Sequence, residues 1–131
     1  MDAHIGIDFG TTNSAIAESS GPGRPRLVPL PGVDGRPVST WRTVLFFEPR
    51  DEGHRIPSFA GAAAIARYLA AEGQGRFVQS IKSHLASELF SATVIFGRRY
   101  TIEELVATFL RKLREAAGIE PGRRVVLGRP V

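Results

Sequence analysis

Apolar and polar positions divide the first nineteen residues into two runs separated by a small-residue turn. His4 to Phe9 is predicted to be a buried strand, and Ser14 to Glu18 the strand that returns from the turn Gly10-Thr11-Thr12-Asn13. A Ser/Gly/Pro turn over Ser19 to Pro25 leads to a short strand at Arg26 to Leu30, with loops at Pro31-Gly32 and Asp34-Gly35. Trp41 to Glu48, with the apolar run Val44-Leu45-Phe46-Phe47, reads as a further strand. Asp51-Glu52-Gly53 is a turn. An alanine-rich helix is then expected from about Ser58 to Ala71, stopped by Gly73 and Gly75.

A short helical piece is expected around Gln79 to Ser87, and Ala92 to Tyr100 is read as a strand interrupted by Gly97, hence a small hairpin. The clearest local pattern follows. Thr101 and Glu104 have capping-box spacing, and Ile102, Leu105, Val106, Phe109, Leu110 and Leu113 form one apolar stripe at helical period. Gly118 is placed to end that helix, and Arg124 to Leu127 begins a last strand. A β-rich first half, a helix and one more strand define a mixed α/β domain.

Composition narrows the chemistry. The 131 residues suffice for one domain with a core, and the hydrophobic fraction of 43% and charged fraction of 23% are those of a soluble globular protein. With no cysteine, thiolate metal sites, disulfides and cysteine nucleophiles are excluded. The first residues lack the basic start and apolar block of a signal peptide, and no apolar run approaches the roughly 20 residues that cross a bilayer, so a cytoplasmic location is expected. The net charge is +4, with 15 arginines and 2 lysines among the basic residues. They are dispersed and not interleaved with aromatics, which fits a solvated surface; neither a nucleic-acid nor a membrane partner is expected.

The candidate chemistry lies at the hairpin tip. Gly10 lets a phosphate approach the backbone, and the following N–H groups, with the Thr11, Thr12 and Asn13 side chains, can converge on phosphate oxygens. Asp8 is a hard oxygen ligand suited to Mg²⁺, directly or through the metal's waters. An unpaired carboxylate near the end of a buried strand is costly, which argues that Asp8 has a task. Elsewhere, His4, His54 and His84 have no partners at zinc-ligand spacing, and neither a Gly-x-Ser-x-Gly elbow nor a Walker-type Gly-Lys-Ser/Thr loop occurs. Glu103 and Glu104 are accounted for by the cap and helix dipole.

Gly6-Ile7-Asp8-Phe9-Gly10-Thr11-Thr12-Asn13-Ser14 resembles the first phosphate motif of the DnaK-type heat-shock chaperones, within the actin and sugar-kinase ATPase superfamily. Three later stretches resemble the same family in the same order. They are Ser39-Thr40 leading into the Val44 strand, Phe77 to Leu85 around Ile81-Lys82, and Val125 to Val131, the last in the form of the divergent YegD-like branch. Thr40-Trp41-Arg42-Thr43, which lacks the usual Thr-Pro-Ser, and Gly128-Arg129 before Pro130 also point to that branch.

The resemblance implies an actin-like (ribonuclease H-like) ATPase fold. Residues 1–131 would be its first lobe only, a mixed sheet with flanking helices, as the N-terminal part of a nucleotide-binding domain with no substrate-binding domain. It implies ATP/ADP and Mg²⁺ as cofactors. Asp8 would orient Mg²⁺ through water, and Gly10, Thr11, Thr12 and Asn13 would hold the β- and γ-phosphates. Lys82 would be the catalytic residue that reaches the γ-phosphate and positions water. Pro130 would be the switch relaying nucleotide state to unfolded polypeptide clients through a C-terminal domain. Such groups act by positioning and charge neutralisation. Lys82 fits a compact point charge in a chain that otherwise uses arginine. The family's adenosine segments and catalytic glutamate fall beyond Val131, so negligible ATP hydrolysis is expected of this chain alone. Two alternatives within the superfamily are a sugar or acetate kinase and an actin-like filament protein, and the Ile81-Lys82 segment favours the chaperone.

Overall fold

The computed structural model describes residues 4–20, 23–81 and 91–128. The opening hairpin is as expected: β1 (His4–Phe9) pairs antiparallel with β2 (Asn13–Ser19), Ile7 opposite Ile16 and Asp8 opposite Ala15. The predicted strand at Arg26 to Leu30 is instead two short pieces. β3 (Arg26–Leu27) extends the sheet beyond β2, while β4 (Leu30–Pro31) turns away to pair with β5 (Pro37–Val38). Pro31 and Pro37 face each other in this two-residue ladder, and its shortness fits residues that cannot donate a backbone hydrogen bond.

The expected single strand from Trp41 to Glu48 divides at Thr43. β6 (Trp41–Arg42) pairs with the start of β2, whereas β7 (Val44–Phe47) is the centre of a second sheet, antiparallel to both β8 (Ser58–Ala60) and β9 (Arg76–Gln79). The alanine-rich helix α1 spans Gly61–Ala70, three residues later than predicted, because Ser58 to Ala60 is drawn into β8. Both faces of β7 are covered. Val44 and Phe46 join Ala64, Phe59 and Phe77 on the α1 side, while Leu45 and Phe47 belong to the main core. Burial on two sides is what a continuous apolar run in a strand signifies.

Of the helical piece expected at Gln79 to Ser87, Gln79 ends β9 and 82–90 lie outside the described residues. β10 (Ala92–Ile95) and β11 (Arg98–Thr101) form the expected hairpin, its two-residue turn at Phe96 and Gly97 having positive φ at both positions. Helix α2 (Ile102–Ala116) follows directly. Thr101 accepts a hydrogen bond from the Glu104 amide at 3.1 Å, while the Glu104 carboxylate faces Arg98 at 3.9 Å, so the hydroxyl half of the capping box is the half that forms. At the other end Gly118 N–H bonds Glu115 O and Ile119 N–H bonds Arg114 O, closing a Schellman motif around Gly118.

β12 (Val125–Gly128) returns parallel to β1, so the first sheet has the order β12-β1-β2-β3 and is mixed. Helix α2 covers one face of it: Phe109 packs on Phe9 with ring centroids 5.8 Å apart, in a core with Ile5, Ile7, Ile16, Leu105 and Leu113. The described residues thus form a mixed α/β structure with a mixed sheet and two helices. No helix among the described residues is long and apolar enough to cross a membrane.

Candidate functional site

Strand alternation decides what the hairpin presents at its tip. Ile5, Ile7 and Phe9 point into the α2 core, so His4, Gly6 and Asp8 occupy the opposite face. Directly paired residues share a face, which puts Ala15 beside Asp8 and Ala17 beside Gly6, with Gly128 on the other flank of Asp8. The three strands therefore place Gly6, Ala15, Ala17 and Gly128 around a single carboxylate, with the exposed Val126 opposite Gly6. Asp8 is exposed, which corrects the expectation of a costly buried charge: it stands in water on the open face of a strand whose other face is buried. Among the described residues its carboxylate has no hydrogen-bond or ion-pair partner, so its oxygens can receive a hydrated cation.

The turn itself is built by steric closeness. A Cβ on Gly10 would fall on the carbonyl oxygen of Asn13, so only glycine lets the chain fold back that tightly. The space glycine leaves open is thus filled by the turn's own backbone, a local reason for Gly10 beyond the phosphate approach expected of it. Thr11, Thr12 and Asn13 are exposed, and among the described residues none of their side chains is engaged in a hydrogen bond.

What holds the turn is a strap from β6. Asn13 pairs with Arg42 and Ser14 with Trp41. Thr43 N–H donates to the Thr12 carbonyl at 2.9 Å, and the buried Ser14 and Thr43 hydroxyls share a hydrogen bond of 2.7 Å. Trp41 is fixed in turn, its indole N–H donating to the Pro31 carbonyl at 2.8 Å and its ring lying against Gly61. A Cβ at Gly61, where φ is +56°, would fall within that ring.

The strap also delivers a residue that sequence reasoning missed. Arg42 is paired with Asn13, and by the same alternation it lies on the open face with Asp8. It is exposed, and among the described residues it has no ion pair. Nothing local marks it, since its place follows from the pairing of β6 with β2. The tip thus gathers one carboxylate, two hydroxyls, one amide and one guanidinium on an open shelf.

Asp8, Gly10, Thr11, Thr12 and Asn13 stand together at the hairpin tip, whereas Lys82 and Pro130 lie outside the described residues. No group of three or more His, Asp or Glu side chains that could hold a metal ion occurs among the described residues. A cation at the tip would have Asp8 as its carboxylate and take its other oxygens from water and ligand, the habit of Mg²⁺ beside phosphates. No protein-family model matches the chain.

Proposed function

We propose that the β1–β2 tip grips the phosphate tail of ATP or ADP with Mg²⁺, and that the chain is part of an ATP-dependent, chaperone-like protein of the DnaK type with an actin-like nucleotide-binding fold. The observation that carries this reading is the meeting of Asp8, Asn13 and Arg42 on one open face beside the Thr11-Thr12 turn, over a shelf of Gly6, Ala15, Ala17 and Gly128. Phosphate needs donors and positive charge. The turn N–H groups, the hydroxyls and the Arg42 fork supply both, and Asp8 takes the metal's waters. Small neighbouring side chains leave room for an extended anion to lie along the sheet.

The mixed sheet with flanking helices is compatible with a lobe of an actin-like domain. The chaperone class rests on the resemblance of the Asp8, Ile81-Lys82 and Val125 segments. On this reading Lys82 approaches the γ-phosphate, and Pro130 passes nucleotide state toward unfolded polypeptide clients held by a C-terminal domain.

Calorimetric titration with ATP–Mg²⁺ tests it. Arg42→Gln and Asp8→Asn should each weaken binding about tenfold or more, from loss of a charge-assisted contact worth about 1.5–3 kcal/mol. Asp8→Asn should act only when Mg²⁺ is present. ATP affinity that is unchanged in Asp8→Asn, Thr12→Ala and Arg42→Gln would remove the tip from the function.

A further inference from the structure

Helix α2 covers the inner face of β1 and β2 but leaves that of β12 bare. Val125 is paired with Ile5 and Leu127 with Ile7, and paired residues share a face, so all four turn toward the α2 side of the sheet. Ile5 and Ile7 are buried there, whereas Val125 and Leu127 remain 41% and 47% exposed. The result is a groove of about 340 Å³ between β12 and the second half of α2. Leu110 of α2 and Ile119 just beyond it, both half-buried, supply the helix side of its lining.

Arg111 and Arg114 complete the lining. They are one helical turn apart, so they leave α2 from neighbouring positions on one face. No carboxylate occurs among the described lining residues. Arg114 has only the exposed Glu115 nearby, at 3.7 Å, a contact of a kind that is worth little. Arg111 is exposed and has no ion pair among the described residues.

These features choose an occupant. The apolar lining is aliphatic throughout, which suits a flexible alkyl chain, and the volume falls at the lower end of the range of about 300–1,000 Å³ that small-molecule sites have. Positive charge beside the groove favours an anionic end. It also opposes a second copy of the chain, because a two-fold contact would set the same arginines against each other.

We propose that this groove binds a small alkyl carboxylate, its chain against Val125, Leu127, Leu110 and Ile119 and its carboxylate toward Arg111 and Arg114. The site lies on the face of the sheet away from Asp8 and does not rest on the nucleotide reading.

Titration of the full chain with butanoate, hexanoate and octanoate, followed by calorimetry and by NMR of the Val125 and Leu127 methyl groups, tests the proposal. Each two-carbon step should tighten binding severalfold, up to about tenfold. 1-Octanol, which lacks the charge, should bind about tenfold more weakly than octanoate. Arg111→Gln combined with Arg114→Gln should weaken octanoate about tenfold and leave 1-octanol unchanged, a split that general loss of structure does not produce. Leu127→Ser should weaken both ligands, whereas Val126→Ser, on the opposite face of the same strand, should weaken neither. Affinity that ignores chain length, equal affinity for octanoate and 1-octanol, or a Leu127→Ser protein that binds as the parent does overturns the proposal. So does sedimentation that finds a dimer of the parent and a monomer of Leu127→Ser, since a second copy would then fill the groove.

Discussion

Helix α2 and the stretch from Trp41 to Gly61 both bury large side chains in the same core, but they are specified in different ways. In α2 the apolar stripe Ile102, Leu105, Phe109 and Leu113, the Thr101 cap and the Schellman closure all lie between Thr101 and Ile119, each obeying a helical rule of its own. Between Trp41 and Gly61 the chain changes sheet at Thr43, pairs with strands before and after it, and begins a helix at a residue with positive φ. Every one of those features depends on a distant partner. The lesson is that the framework of this molecule is written locally, whereas the strap that shapes the candidate site is written in tertiary contacts.

The strongest test of that contrast removes a large core group from the locally specified side. Phe109→Ala deletes the ring that packs on Phe9 and should cost about 3–5 kcal/mol in urea unfolding, since the cavity it leaves is flanked by well-fixed elements. Its partner test is on the strap. Gly61→Ala sets a Cβ into the Trp41 ring at a φ of +56°, and backbone strain of about 1–2 kcal/mol plus overpacking of about 1–3 kcal/mol should add. Gly118→Ala is the control, because it also has positive φ yet meets nothing within 4 Å, and should show the backbone part alone. If Gly61→Ala is no more harmful than Gly118→Ala, then Trp41 is not wedged as described and the strap is softer than the helix.

The same contrast explains what could be read from the residues in order. β1, β2, α2 and the tip residues Asp8 to Asn13 are contiguous in sequence, and their patterns have a single period, so they were legible. The exposure of Asp8 follows from the alternation already visible in Ile5, Ile7 and Phe9, but an apolar run hides it unless the faces are counted. The division at Thr43 is hidden because Arg42 and Thr43 between Trp41 and the Val44–Phe47 run suit a strand as well as a break, while the partner changes from β2 to β8 and β9. Ser58 to Ala60 merges in sequence with the following alanine run, since small residues suit either a strand edge or a helix and pairing with β7 decides between them. Arg42 could not be recognised as a tip residue at all, because its neighbour Asn13 is twenty-nine positions away in the sequence and meets it only through the sheet.

A smaller effect should separate stability from site geometry. Ser14→Ala leaves the buried Thr43 hydroxyl without its 2.7 Å partner, which should cost about 1–3 kcal/mol, whereas Ser14→Ala with Thr43→Val removes both groups and should recover part of the loss. The single variant should also loosen the Thr12 carbonyl contact and lower ATP–Mg²⁺ affinity more than its modest destabilisation suggests. Denaturant titration and calorimetry on the two proteins distinguish these effects. Recovery of stability without recovery of affinity would locate the importance of the pair in shaping the turn.

The smallest expected change is at the start of α2. Thr101→Ala removes the hydroxyl that caps the Glu104 amide and should cost about 1 kcal/mol, while Thr101→Ser should restore nearly all of it because the acceptor is the same. Since the cap is local, neither variant should alter ATP–Mg²⁺ binding at the hairpin tip, whose strand meets α2 through the buried Phe9. A Thr101→Ala protein that loses nucleotide affinity along with helix stability would show that α2 and the strap are coupled through that core, and the division between locally and remotely specified regions would then not extend to function.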